Sequence, residues 1–392
     1  MNNRQSWNVI TLFLILIFGF SLATILKPQN GFSERENRVL ATRPEPTVST
    51  VFSGEFEKAY EDSLTDQFVL RDQWIALRSF VERLALKQDI HDVYLGKDSY
   101  LIEKHTGTFS TEYAQNNISL LKEFVREASD RCGQDHVWVM MVPNAVSVLT
   151  DKLPLFAAPY DEKEYLQKIE NELPVGVWVE VTDVLEEAAR TSDEQLYYRT
   201  DHHWTTYGAY LAYQELALQK GLELSRITSW DREVLTDRFE GTVAARIGSS
   251  GTYDRIEAWK RNDRTERKYL LRYNQTGEVQ EGYLVRDCLE TRDKYGVFFG
   301  GNFGTVEIRP EEDTAVAAGS GTGRKLLVIK DSYANCFVPF LLDQFDEVDL
   351  VDMRYFNGSL SEYMETASFT DVLFLNNVAG FAEDASLVKL RY

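Results

Sequence analysis

Two short stretches of this chain carry residue types that, if brought together, form the apparatus of nucleophilic acyl chemistry. Asp331-Ser332 stands where the apolar run KLLVIK (325–330) gives way to a helical pattern. A serine at a strand-to-helix junction presents its Oγ above the carboxyl edge of a sheet, where open α/β sheets place their ligands. Free N–H groups at the helix start can stabilise an oxyanion there. The plainer role of Asp331 or Ser332 at such a junction is to cap the helix. Asp201-His202-His203-Trp204 is the second stretch. A hydroxyl nucleophile needs a base of near-neutral pKa, and the base needs a carboxylate to fix its tautomer. The chain has five histidines, and two of them stand together here beside an aspartate. An N-cap aspartate or a hydrated loop would also account for the cluster. A metal site is disfavoured, because no third ligand at helical spacing, of the HExxH kind, accompanies Asp201, His202 and His203. Adjacent histidine side chains are also expected to diverge. Gly248-Ser249-Ser250-Gly251 holds two further serines, but it lacks a strand-to-helix context and reads as a flexible turn.

Bringing Ser332 to His203 requires a scaffold, and the patterning predicts an α/β one. Residues 116–130 read as an amphipathic helix, followed by the apolar strand HVWVMMVP (136–143). A strand apolar on both faces suits a sheet covered by helices. VGVWVEVTDVLEEAAR (175–190) reads as a strand and a helix, and 197–219 as a loop entering a helix that carries Tyr207, Tyr210, Leu211 and Leu216. Residues 222–320 read as a β-rich insertion: a hairpin at 268–285 around Asn-Gln-Thr-Gly, strand candidates GVFFGG and TVEIRP, and a closing loop GSGTGR. Then KLLVIK, a helix over 332–345, a strand at 347–353, a helix at 359–367 and a strand at 371–377 follow in turn. That alternation implies a parallel sheet with right-handed crossovers.

Composition bounds the rest. With 392 residues, 44% hydrophobic and 12% aromatic, the chain can bury a large core and is no disordered tail. Its 62 acidic against 42 basic residues give a net charge of −20, which repels phosphate backbones and argues against nucleic-acid binding. Cys132, Cys288 and Cys336 form no CxxC or Cys/His pattern, so neither zinc nor a disulfide framework is suggested. No cofactor is expected. Residues 7–26 (WNVITLFLILIFGFSLATIL) are free of charge and, at about 30 Å of helix, long enough to cross a bilayer. They read as a single-pass signal anchor with the amino end inside, between Arg4 and Lys27-Pro28. Cleavage at Ser21-Leu22-Ala23 would instead release a secreted protein. The expected organisation is an anchor over 1–27, a linker with a helical and hairpin segment over 28–110, and a catalytic domain over 111–392. Within 28–110, residues 54–86 read as two amphipathic helices and VYLGKDSYLIE (93–103) as a hairpin.

Five blocks taken together carry a family resemblance. TDHHW (200–204) with TTYGAY (205–210), LLVIKDSYANCFVPFL (326–341), FSERENR (32–38), DQFVLRDQW (66–74) and VYLGKDSYLIE (93–103) resemble the DHHW family. That family is similar to the J- and X-type alginate O-acetylation proteins, which have an SGNH-hydrolase-like domain. The resemblance implies Ser332 as nucleophile, His203 as base and Asp201 as its orienting acid. His202 stands where those relatives often carry a small polar residue. The serine, glycine and asparagine slots of an SGNH domain fall on Ser332, Gly358 and Asn376, after three successive strands. The Asp/His block comes earlier, so the order reads as circularly permuted. Gly358 and Asn376 are the expected oxyanion donors, with Asn377 and Asn302 of GGNF competing.

The expected function is therefore an extracytoplasmic serine O-acetyltransferase or esterase acting on a cell-envelope polysaccharide. By resemblance, a multi-pass membrane O-acyltransferase would supply the acyl group across the bilayer. The alternative is a non-catalytic envelope scaffold or glycan-binding component, using some of the 20 Tyr, 22 Phe and 7 Trp as stacking surfaces.

Overall fold

The computed structural model describes residues 3–33, 38–248, 251–265, 267–311 and 323–391. Both serines of the Gly-Ser-Ser-Gly turn, most of GSGTGR and the centre of FSERENR lie outside the described residues. The chain divides into two compact units, residues 1–87 with 245–249, and residues 88–244 with 250–392.

The first unit is helical. A single helix, Asn3–Leu26, opens the chain, and its stretch Ser6–Leu26 is long and apolar enough to cross a membrane. Helices Val48–Ser53, Glu55–Gln67 and Arg71–Leu84 follow, the last two being the amphipathic pair expected from the spacing. Thr47 caps the first of them through a reciprocal capping box with Thr50.

The second unit is α/β and is built on a seven-stranded sheet. Its strands in chain order are β1 (Val137–Val142), β2 (Tyr269–Tyr273), β3 (Val279–Glu281), β4 (Thr305–Pro310), β5 (Lys325–Lys330), β6 (Glu347–Val351) and β7 (Asp371–Asn377). The spatial order is β3-β2-β4-β6-β5-β7-β1. The four strands β6-β5-β7-β1 are parallel, as the alternation of elements requires, and β5 is interior. Leu326 and Val328 of β5 enter one core, and Leu327 and Ile329 the other. A strand buried on both faces needs helices on both sides, and helices Thr206–Lys220 and Glu112–Cys132 contribute to the two cores in turn.

The expectation of a purely parallel sheet beside a separate insertion is corrected. The insertion donates β2, β3 and β4 to the same sheet, with β4 antiparallel to both β6 and β2, so the sheet is mixed. The burial of β2 alternates, as suits an outer strand, whereas β1 and β7 are buried throughout. The 268–285 hairpin forms as expected, and so does the one at 93–103, to which Asp89–Ile90 adds a third strand. A long antiparallel pair, Trp230–Phe239 with Asp254–Arg261, was not legible.

Three local expectations fail for identifiable reasons. VGVWVEV makes only one parallel bridge among the described residues, Val139 to Trp178, because the backbone has left the extended form by Val181 (φ −132°, ψ −7°), where helix Thr182–Thr191 begins. The helix expected over 332–345 breaks after Ala334–Phe337 into two 3₁₀ turns, Val338–Phe340 and Leu342–Gln344. Pro339 lacks the N–H that would continue it. GVFFGG is a turn rather than a strand, with Phe299, Gly300 and Gly301 all at positive φ.

Candidate active site

The turn after β5 and the loop before helix Thr206–Lys220 place three polar side chains in a hydrogen-bonded row. Ser332 Oγ lies 2.7 Å from His203 Nε2. His203 Nδ1 lies 2.5 Å from Asp201 Oδ1. A carboxylate only accepts, so Nδ1 carries the proton and Nε2 offers its lone pair to the serine hydroxyl. All three residues are buried, Ser332 being the most open at 9% exposure. Burial pushes the imidazole of His203 down to about 4, assisted by His202 and opposed by Asp201. Burial would by itself raise the Asp201 carboxyl. The neighbouring His202 and His203, the hydrogen bond from His203 and the N–H of Thr242 outweigh it and hold the group well below the usual carboxylate range. At neutral pH the row is thus carboxylate, neutral imidazole and hydroxyl.

The insertion supplies most of the support. Thr242 donates to Asp201 Oδ2 from both its N–H (2.8 Å) and its hydroxyl (3.0 Å). Gly241 passes so close to Asp201 that a Cβ there would come 2.2 Å from the aspartate's own Cβ. Asp254 accepts hydrogen bonds from Arg199 N, Thr200 N, Thr200 Oγ1 and Gln195 Nε2, fixing the loop just before the aspartate. The Tyr295 ring stacks on that of His203, and its hydroxyl donates to Ser332 O. Trp204 Nε1 donates to Tyr333 O, and Tyr333 Oη donates to His202 O, so the two motif loops are tied by two further bonds. None of Gly241, Thr242, Asp254 or Tyr295 was singled out from sequence. A buried carboxylate shared by backbone donors is a three-dimensional property with no local spacing to betray it.

Asp331 and Ser332 divide the two roles considered for them. The Asp331 carboxylate closes the turn by accepting from Tyr333 N at 2.8 Å, and it accepts from Asn377 N and Nδ2 at 2.7 Å each. Burial raises this carboxyl, against the opposing effect of Arg354 and those N–H donors. Ser332 Oγ is left for the histidine. The Ser332 N–H meets no acceptor among the described residues. Beneath the turn, Lys330 is buried and pushed down by burial to about 8, and it donates to Asn335 Oδ1 and Asn302 Oδ1.

The expected oxyanion residues are placed less directly. Asn377 and Asn302 are engaged in the bonds just described, and Asn377 Oδ1 also accepts from Gly380 N and Asn144 Nδ2. Asn376 is the penultimate residue of β7, its Oδ1 buried and unpartnered among the described residues. Gly358 packs on the Phe356 ring, and no hydrogen bond among the described residues links Gly358 or Asn376 to Ser332 or His203.

The expected divergence of the two histidines is overturned: their rings lie 3.9 Å apart at 36°. Asp201, His202 and His203 consequently bring possible metal ligand atoms within 4.8 Å of one another. Of the ring nitrogens there, His203 Nδ1 is engaged with Asp201 and His202 Nδ1 with Thr242 Oγ1 at 3.1 Å. A cation bound through His203 Nδ1 would have to break the bond that orients the imidazole.

A model of the DHHW protein family matches residues 107–351. A search of curated proteins gives no match. Among solved structures, a DHHW family protein from Eubacterium siraeum DSM 15702 superposes with a TM-score of 0.62 at 23% identity, over 77% of this chain and 96% of that one. Bacillus cereus PatB1, solved with a sulfonyl adduct, superposes with a TM-score of 0.56 at 19% identity, over 75% and 98%. The O-acetyltransferase domain of Pseudomonas putida AlgJ gives 0.45 at 15% identity, over 76% and 98%. The first two share the fold of this chain.

Proposed function

This chain belongs to the DHHW family, whose model spans well over half its length, and from that premise we propose that it is a membrane-anchored, extracytoplasmic serine O-acetyltransferase or esterase acting on a cell-envelope polysaccharide. The hydrogen-bonded row Asp201–His203–Ser332 is the observation that carries this reading. His203 Nε2 takes the Ser332 proton as Oγ attacks the acyl carbon, and Asp201 stabilises the imidazolium that forms. The tetrahedral intermediate collapses as His203 returns the proton to the leaving group. A sugar hydroxyl, or water, then gives its proton to the same imidazole as it attacks the acyl carbon, and His203 passes that proton to Ser332 Oγ as the acyl–serine bond breaks. The open Ser332 N–H is the first oxyanion donor, and Asn376 Nδ2 and the Gly358 N–H are the further donors in this assignment. The order of elements, with the Asp/His block preceding the serine strand, supports a permuted SGNH-like reading.

Helix Asn3–Leu26 supports the anchor. Tethering raises the effective concentration of the domain near a multi-pass O-acyltransferase that would deliver acetyl groups across the bilayer. A fluorophosphonate or sulfonyl fluoride probe tests the reading. Labelling of the wild-type chain, lost in Ser332→Ala, is expected. A folded wild type that resists labelling would replace the enzyme with a non-catalytic envelope scaffold or glycan-binding component.

A further inference from the structure

In the first unit, helix Arg71–Leu84 turns most of its large apolar side chains outward. Its more buried side carries Arg71, Ile75, Ala76, Ser79 and Glu82, with Ser79 only 2% exposed and the side chains of Arg71 and Glu82 at 17% and 14%. Its outward side carries Trp74, Leu77, Phe80, Val81 and Leu84, all between 42% and 67% exposed. An amphipathic helix in a soluble protein does the reverse, and a contiguous apolar patch of this kind marks a surface that something covers.

The same unit indicates what covers it. Phe20 of helix Asn3–Leu26 packs edge-on against Trp74, with ring centroids 5.6 Å apart, and against Phe68 at 6.2 Å. Thr24 Oγ1 accepts the Val69 N–H just before the amphipathic helix begins. Phe20 lies six residues before Leu26, so Trp74 sits roughly 9 Å of helical rise from the end of the apolar stretch. That depth is the headgroup and acyl boundary in which interfacial helices bury their apolar face, about 5–10 Å deep. Arg78, with 62% of its side chain exposed, borders the patch and can snorkel toward headgroup phosphates.

We propose that helix Arg71–Leu84 lies in the interface of the bilayer that Asn3–Leu26 spans, on its non-cytoplasmic side, with lipid covering its apolar face. This rests on the reading of residues 7–26 as a retained anchor. The chain then meets the membrane twice, once through the bilayer and once along its surface. With a net charge of −20, apolar contact rather than attraction to anionic lipid holds the second site.

Nitroxide accessibility tests this on the full chain in phosphatidylcholine proteoliposomes, with Cys132→Ser and Cys288→Ser as background. Labels are placed singly through Leu77→Cys, Val81→Cys and Leu84→Cys. Phe13→Cys supplies a bilayer standard, and exposed Asp193→Cys an aqueous one. The ratio of oxygen to nickel-chelate accessibility at 77, 81 and 84 should exceed that at 193 severalfold and approach that at 13. Nickel access at 77, 81 and 84 like that at 193, with 13 shielded, overturns the inference and leaves the anchor standing. Labels immobilised and closed to both reagents also overturn it, because protein rather than lipid would then cover the face. An aqueous signal at 13 removes the anchor reading and the inference with it.

Discussion

The ring of Tyr295 lies face to face with that of His203, centroids 3.9 Å apart and planes inclined by 18°, while its hydroxyl donates to the main-chain oxygen of Ser332 at 3.2 Å. One side chain from the insertion therefore fixes the imidazole plane and steadies the serine turn. The hydrogen-bonded row is held from the side as well as from its aspartate end.

Tyr295→Phe keeps the stacking ring and loses one neutral hydrogen bond, which should lower kcat/KM by less than about tenfold. Tyr295→Ala removes both restraints and should cost on the order of 10²-fold through misplacement of the imidazole. Kinetics on an acetylated chromogenic ester separate the two. Wild-type turnover in the alanine variant would reduce the tyrosine to core packing.

His203→Ala should lower kcat by about 10³-fold or more, since the serine loses its base. His202→Ala should cost much less, because His202 bonds Thr242 rather than Ser332. The reverse ranking would move the base by one residue.

The acid limb of kcat/KM should fall near pH 4, not near the ordinary histidine value of about 6.5. His203 must be neutral to accept the serine proton, and its depressed pKa keeps it neutral down to that point, so activity is lost as pH drops through about 4. A rate profile with its limb near 6.5 would mean that the imidazole is solvated rather than buried.

Gly241→Ala should impair activity while leaving the fold intact. The added Cβ would lie 2.2 Å from the Asp201 Cβ, so the aspartate must shift and the imidazole with it. A loss on the order of 10²-fold in kcat, with unchanged circular dichroism, is the expected pair of results. Full activity would show that the 201–203 loop yields without consequence.

Asp254→Ala should lower stability by about 2–4 kcal/mol, since the Thr200 N–H and hydroxyl lose a buried acceptor. Urea denaturation measures this directly. A change below about 0.5 kcal/mol would place Asp254 among ordinary surface groups.

The parts of the site that are local in sequence were the legible ones. Asp201 and His203 are two residues apart on one loop, and Ser332 follows directly on an apolar strand, so composition and context expose them. Thr242 and Asp254 act on the 200–201 loop across 41 and 54 residues of chain, and no periodicity announces such contacts. Three of the four parallel strands, β1, β5 and β7, were legible because each is apolar on both faces, whereas β6 (EVDLV) was legible from the alternation of strand and helix around it. The sheet extension was not, because β2 and β4 look like any half-buried hairpin strands until their partners are known. Pro339 was in plain view, yet the apolar residues around it mimic a continuous helix.

Gly241, Thr242, Asp254 and Tyr295 all lie in the segment that joins the histidine half of the sheet to the serine half. In evolutionary terms, that segment is not free to drift as loops usually are. A lineage that shortened it would lose the clamp on its aspartate and the plate behind its imidazole together, so these four positions should change as a block, in step with the residues at 201 and 203.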